Sequence, residues 1–180
     1  MKSERENVLN TSSQSEAVQY AFLLNAFFDR EFSDPAQLLD KNKSKYDREA
    51  RAYVCLKIEF EKNTYLIPLK KDLGSSLLTN PFYKNSHYPV PSKSKPNAGL
   101  DFRKIIIAND PSLYRIDEAK ISSAQKRIIQ DNFETIKSDA IDYIKGFIKA
   151  AEKNRHKKSS LYNFSALSNF LDELGIDINK

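Results

Sequence analysis

The clearest pattern in the chain is a strict alternation over positions 51–60. Ala52, Val54, Leu56, Ile58 and Phe60 fall on one side, and Arg51, Tyr53, Cys55, Lys57 and Glu59 on the other. A period of two sustained this long predicts a half-buried strand. Glu61-Lys62-Asn63 reads as a turn, and the apolar segment 64–69 (Thr64, Tyr65, Leu66, Ile67, Pro68, Leu69) returns as the second arm of a hairpin. Pro68 has no amide proton to give a ladder, which predicts a sheet edge or a strand end. A third strand is predicted over 101–109, centred on Ile105, Ile106 and Ile107 and closed by Asp110-Pro111.

Elsewhere the period lengthens. Ser13 and Glu16 have capping-box spacing, and Ala17, Tyr20, Ala21, Leu24 and Phe28 follow at helical intervals, which predicts a helix. The run Tyr20 to Leu24 also reads as a buried strand, because short apolar runs fit both. Ser33-Asp34-Pro35 predicts a short helix through Leu39, with Pro in the first turn. Over 122–152, Ile129, Phe133, Ile136, Ala140, Ile144, Phe147 and Ala151 form one helical stripe, with Gly146 a candidate bend. Residues 165–174 read as a last amphipathic helix with Gly175 as its C-terminal cap.

The segment 70–99 carries Pro81, Pro89, Pro91 and Pro96, which predicts a long irregular connection of the kind that is functional or disordered. Residues 1–12 are polar and predicted to be a flexible tail, leaving 13–180 as one domain. Strands in the middle and helices at both ends predict an α+β fold: a small antiparallel sheet or barrel with flanking helices, one of them long and in the C-terminal part.

Composition narrows the function. The 180 residues suit one domain able to bury its own core. Cys55 is the lone cysteine, so no internal disulfide is possible. No apolar segment of signal-peptide kind follows Met1, and no stretch approaches the roughly 18 apolar residues of a membrane span; a cytoplasmic protein without a membrane partner is expected. The net charge is +5, but its placement says more. Positions 41–104 hold 14 Lys and Arg against 6 Asp and Glu, an excess of +8 that leaves −3 for the rest. Such concentration suits a face that meets a polyanion, and suits equally a solvated, lysine-rich surface.

With two histidines, His87 and His156, and a single cysteine, zinc-type spacings are absent, as are P-loop, GxGxxG, HExxH and GxSxG motifs. Metal- and nucleotide-dependent enzymes are disfavoured, and no cofactor is expected. What remains is Lys, Arg, Tyr and Ser beside a sheet. RNA carries its own nucleophile, the 2′-hydroxyl, so cleaving it needs a proton acceptor, cations for the phosphorane and a proton donor for the leaving oxygen. Aromatic side chains near such cations can stack splayed bases.

Arg51 and Tyr53 share the outward face of the first strand, where a plain solvent edge is equally good an explanation. Lys70 and Lys71 end the second strand; paired lysines are more often simply solvated. Lys93, Lys95, Arg103 and Lys104 bracket the entry to the third strand. Tyr114 and Tyr143 are more often core than recognition. His87, in the long connection, can serve as acid or base, although a lone loop histidine is more often inert. The basic run Lys153, Arg155, Lys157 and Lys158 grips phosphates or merely joins two helices.

The order of these pieces resembles a known family. Arg51-Ala52-Tyr53 opens the alternating strand; Tyr65-Leu66-Ile67-Pro68-Leu69 follows; a Lys/Ser-rich connection leads to Gly99-Leu100-Asp101-Phe102-Arg103-Lys104; and a long helix precedes Tyr162-Asn163-Phe164-Ser165. This order is similar to that of the toxins of type III toxin–antitoxin systems, the ToxN/AbiQ superfamily, and within it the TenpN branch. The likeness spans roughly residues 20–175. It implies a compact, highly twisted antiparallel barrel of the Kid/MazF kind with flanking helices. It implies a metal-independent, sequence-specific endoribonuclease that leaves a 2′,3′-cyclic phosphate and a 5′-hydroxyl. It also implies inhibition by a small structured RNA cut from tandem repeats, head-to-tail rings of toxin and RNA, and a role in arresting phage-infected cells.

The carry-over is local. Arg51 matches the basic residue opening the family's first long strand. Lys70 and Lys71 stand where relatives have hydroxyl residues leading to a catalytic lysine; the next hydroxyls here are Ser75 and Ser76, so the catalytic set stays open. Relatives often have Arg-Pro-Tyr at 51–53. Gly99, Asp101, Phe102 and Lys104 fit the family's entry to the later strand. The resemblance implies that Lys70 or Lys71 stabilises the phosphorane, that Ser75 or a tyrosine such as Tyr53 assists, and that Arg51 holds the scissile phosphate of a cellular or phage mRNA. Lys43, Lys45, Lys93, Lys95, Arg103, Lys104, Lys153, Arg155, Lys157 and Lys158 would hold the antitoxin RNA. The competing expectations are a non-enzymatic RNA-binding module on the same face and a protein-interaction domain.

Overall fold

A computed structural model describes residues 17–39 and 54–177. The predicted tail, the capping box at Ser13, the basic positions Lys43 and Lys45, and Arg51 and Tyr53 lie outside the described residues.

The architecture is α+β, as the patterning predicts. Strands β1 (Gln19–Leu23), β2 (Cys55–Phe60), β3 (Asn63–Lys70), β4 (His87–Pro89), β5 (Gly99–Asp101), β6 (Ile106–Ile107) and β7 (Tyr114–Ile116) form a seven-stranded sheet among the described residues. Its order is β4-β5-β3-β2-β1-β7, with β6 also beside β3, and every pairing is antiparallel. The sheet is open, with β4 and β7 as its ends, rather than closed into a barrel. Helices α1 (Asn25–Phe28), α2 (Ser75–Thr79), α3 (Ser123–Asp131) and α4 (Phe133–Ala151) flank it. No helix among the described residues is long and apolar enough to cross a membrane.

The hairpin forms where the alternation places it, except that Asn63 opens β3 instead of belonging to the turn and Cys55, expected on the outward face, is buried. β2 and β3 pair from Phe60↔Asn63 to Cys55↔Pro68, and Glu61 takes a left-handed conformation (φ 52°) to close the turn. Leu56, Ile58, Tyr65, Leu66 and Ile67 are all at most 1% exposed. Consecutive buried residues mean that β3 is covered on both faces, as its unbroken apolar run requires.

Pro68 is not at an edge, because β3 is interior. The amide of Leu69 donates to Val54 O (2.8 Å), so the alternation of the ladder turns the Pro68 nitrogen away from β2. On that other side β6 pairs with Tyr65 and Leu66, and β5 with Leu69 and Lys70. Pro68 therefore falls in the gap between them, where no ladder bond is asked of it.

Three other expectations change. The helix over 17–28 is instead strand β1 followed by the single turn of α1; pairing with both β2 and β7 overrides local helical spacing, and the alternative strand reading of Tyr20 to Leu24 is the one realised. The connection 70–99 is not irregular: it holds α2, a 3₁₀ turn at Pro81–Ser86 and β4. Its prolines sit where an amide is dispensable. Pro81 opens the turn behind an Asn80 cap, and Pro89 ends a strand at the sheet's edge. The strand over 101–109 is split by a 3₁₀ turn at Phe102–Lys104 into β5 and β6.

Three helical expectations are adjusted. The long helix is two, α3 and α4, separated at Asn132, whose side-chain amide donates to Ile128 O (2.8 Å). The seven residues of the stripe are nevertheless all buried. Helix α4 runs on through Gly146, whose missing Cβ would lie 2.1 Å from the Tyr162 hydroxyl, so the glycine admits a neighbour. Residues 33–39 and 165–174 give 3₁₀ turns at Pro35–Gln37 and Ala166–Asn169 rather than helices. They are laced together by Asn169, which accepts from Asp34 N (2.6 Å) and donates to Asp34 O (2.9 Å). Gly175 does end the last segment, with φ 71°; Ile176 N donates to Leu171 O and Gly175 N to Asp172 O, the Schellman pattern.

Candidate functional site: a cation cluster on a buried carboxylate

The break between β5 and β6 builds the site. Asp101 is fully buried, and its carboxylate caps the 3₁₀ turn by accepting from the Arg103 amide (3.1 Å). The turn lifts Arg103 and Lys104 out of the sheet while Phe102 and Ile105 stay buried and anchor it.

Asp101 then gathers cations. Arg103 donates through Nε to one carboxylate oxygen and through Nη2 to the other, both at 3.0 Å, a bidentate pair. Lys70, at the end of β3, reaches the same carboxylate at 3.4 Å. The side chains of Arg103 and Lys70 keep 20% and 27% of their surface exposed, so both cations remain able to meet an anion from solvent. Burial pulls the Arg103 guanidinium down, but the hydrogen bonds and charge of Asp101 outweigh it and hold it above its ordinary value.

Lys104 completes the cluster differently. Its ammonium donates to Gln37 O (3.0 Å), Gln37 Oε1 (3.3 Å) and Phe164 O (3.0 Å), all neutral acceptors. Burial first, and then the nearby Arg103 and Lys70 charges, bring its pKa down to about 8, against the pull of Asp101. A lysine in that range gives up its proton far more readily than an ordinary one.

Aromatic and imidazole groups border the cluster. Tyr143 of α4 is buried near Asp101, Arg103 and Ser165, and burial pushes its phenol well above the usual value, so it stays neutral. His87 pairs in register with Asp101 across β4 and β5, and its Nδ1 lies 3.0 Å from Tyr83 O. Burial lowers its pKa despite the opposing effects of that hydrogen bond and Asp101. The same histidine lines a cleft of about 610 Å³ between the 77–89 segment and Asp139 of α4. Of the large hydrophobics, Phe82 and Phe164 are 55% and 54% exposed; one lies beside Tyr83, and the other supplies the carbonyl that Lys104 grips.

Gly99 shapes this corner. A Cβ there would stand 2.4 Å from Leu73 Cδ1 and 2.6 Å from Tyr88 O, so only glycine lets β4 and the 72–74 turn close over β5.

The structure thus brings together Lys70, Arg103 and Lys104 from the sequence candidates. Lys71 and Ser75 are exposed, and no hydrogen bond or ion pair among the described residues joins either to Asp101. Lys93 and Lys95 occupy an exposed turn closed by the Ser92↔Lys95 bridge. Lys153, Arg155, Lys157 and Lys158 are exposed on the turn after α4. His156 in that turn is buried edge-on against Phe147, with no hydrogen-bond partner among the described residues for either ring nitrogen, and burial lowers its pKa. Cys55 is buried, which pushes its thiol up to about 12 and leaves it inert.

Sequence reasoning missed the organising role of Asp101 and the placement of His87. The signal for the first was an acid set among Leu100, Phe102 and three isoleucines, where only a paired charge is tolerated. Compared with protein-family models, curated proteins and solved structures, the chain matches none.

Proposed function

We propose that this chain is an endoribonuclease of the toxin type, with Lys70, Arg103 and Lys104 as its working cations. The observation that carries the reading is the pairing of Lys70 and Arg103 with one buried carboxylate, with the Lys104 ammonium held nearby on neutral oxygens and His87, which lines a cleft, in register with that carboxylate. The substrate's 2′-hydroxyl attacks the adjacent phosphorus. Arg103 and Lys70 stabilise the phosphorane oxygens, and the Lys104 ammonium protonates the departing 5′-oxygen. The products are a 2′,3′-cyclic phosphate and a 5′-hydroxyl. Removing one such preorganised donor typically costs about 10²–10³-fold in rate. Phe82 and Phe164 offer faces on which unpaired bases stack.

The motif order shared with ToxN/AbiQ toxins supports the wider reading. In it the enzyme acts in the cytoplasm on cellular or phage mRNA. A structured, repeat-derived RNA lies along Lys93, Lys95 and the 153–158 turn, closes rings with the toxin and silences it. In this reading Arg51 holds the scissile phosphate, Tyr53 assists the chemistry, and Lys43 and Lys45 hold RNA.

The test is induction of the chain in cells with RNA ends mapped. Wild type should arrest growth and generate new 5′-hydroxyl ends, while Lys70→Ala and Lys104→Ala should do neither. Harmless wild-type protein with intact RNA overturns the enzyme. Retention of RNA during purification would then leave the binding module standing.

A further inference from the structure

The two buried histidines differ in a way that packing alone does not explain. Among the described residues His156 has no hydrogen-bond partner at either nitrogen, and it lies against Phe147 as a hydrophobic ring would. His87 is pinned at one nitrogen and opens on a cleft at the edge of the cation cluster. Tyr83 O can only accept, so Nδ1 carries the proton of that hydrogen bond. In the neutral ring Nε2 then holds the lone pair.

Resting on the endoribonuclease reading, we propose that His87 is the general base of this site and that the cleft it lines seats the nucleotide bearing the attacking 2′-hydroxyl. His87 Nε2 takes the 2′-hydroxyl proton as the 2′-oxygen bonds to phosphorus. The bond from phosphorus to the 5′-oxygen breaks, and that oxygen takes a proton from the Lys104 ammonium. The enzyme leaves the step with His87 charged and Lys104 neutral, and exchange of one proton with solvent resets it. The acid, Lys104, is on the 3₁₀ turn that Asp101 caps, and the base, His87, is on the strand that pairs with Asp101.

The cleft suits a nucleotide. About 610 Å³ falls within the range of small-molecule sites, and its walls mix apolar Leu77, Pro81 and Tyr88 with polar Asn85, Lys84 and Asp139. The charged groups that face His87 are Asp101 and Arg103 from the cluster, with Lys84 and Asp139 across the cleft. Burial keeps the imidazole neutral near pH 7, the state a base must start from.

The experiment is the pH–rate profile for cleavage of a mixed-sequence single-stranded RNA, with the melting temperature recorded at each pH. Wild type should give a bell. Its acid limb should rise through a value below the ordinary 6.5 of histidine, and its alkaline limb should fall through about 8 as Lys104 loses its proton. His87→Asn should bind the RNA normally, lose about a hundredfold in rate and lose the acid limb. Imidazole added to His87→Gly should restore part of the rate, which a purely structural role would not allow. A wild-type rate that shows no acid limb at any pH at which the protein stays folded overturns the proposal without any variant. So does a His87→Asn protein that keeps both rate and acid limb, and in that case the endoribonuclease reading survives. Wild type that cleaves nothing removes both.

Discussion

Two basic regions of this protein look alike in the sequence and are opposite in the structure. The turn at 153–158 carries Lys153, Arg155, Lys157 and Lys158, all exposed to solvent. The cluster at 70 and 101–104 carries fewer cations, but each is held. Arg103 and Lys70 converge on a fully buried carboxylate, and Lys104 is gripped by three neutral oxygens. Charge count favours the turn and preorganisation favours the cluster. Electrostatic catalysis depends on the second, because fixed cations in a partly dehydrated site cost no reorganisation when charge develops.

The largest effect is expected at the carboxylate. Asp101→Asn strips Arg103 and Lys70 of their counter-charge in a buried setting. The protein should lose about 3 kcal/mol of stability in denaturant unfolding, and cleavage should vanish. The next effect separates two neighbouring lysines. Lys70→Ala should lower the cleavage rate about 10²-fold. Lys71→Ala should leave it within about twofold, the scale of a surface substitution. Equal losses at both positions would erase the distinction between held and solvated lysines.

Acid should weaken the fold by a smaller margin. His87 and His156 both have folded pKa values lowered by burial, so below about 6.5 the unfolded chain binds more protons than the native one. Their contribution is fully present above that pH and is lost as pH falls through the lower folded values. Melting temperature should drop between pH 7 and 5, and His156→Phe should flatten the slope. The smallest effect belongs to the exposed turn. Replacing Lys153, Arg155, Lys157 and Lys158 by Gln should leave melting unchanged. The salt dependence of single-stranded RNA binding should become shallower by about 0.7 in log–log slope for each phosphate that is no longer neutralised.

Much of the fold was legible. The β2–β3 hairpin followed from the alternation of its first arm and the apolar run of its second, and every residue of the stripe from Ile129 to Ala151 is buried. The Ser122 and Gln125 spacing at the start of α3 is a capping box, a local signal as plain as the one at Ser13 and Glu16. What escaped was non-local. Residues 19–23 have helical spacing but become a strand because β2 and β7 offer partners on both sides, 30 or more residues away for β2 and over 90 for β7. The isoleucine run read as one strand because nothing local announces that Asp101 turns back to cap its own chain. The site was half legible for the same reason. Lys70, Arg103 and Lys104 could be picked out as cations, but not that one carboxylate would gather the first two, nor that a histidine 14 positions before Asp101 would pair beside it.

The measurement closest to the central claim is end mapping on a defined single-stranded RNA cut by purified protein, comparing wild type, Lys104→Met and the Gln-substituted 153–158 turn. The expected result is 5′-hydroxyl and 2′,3′-cyclic phosphate ends from wild type and from the turn variant at saturating RNA, with Lys104→Met at least about 10²-fold slower. Cleavage that survives Lys104→Met but disappears with the turn would contradict the account, since the exposed charges would then be the active ones.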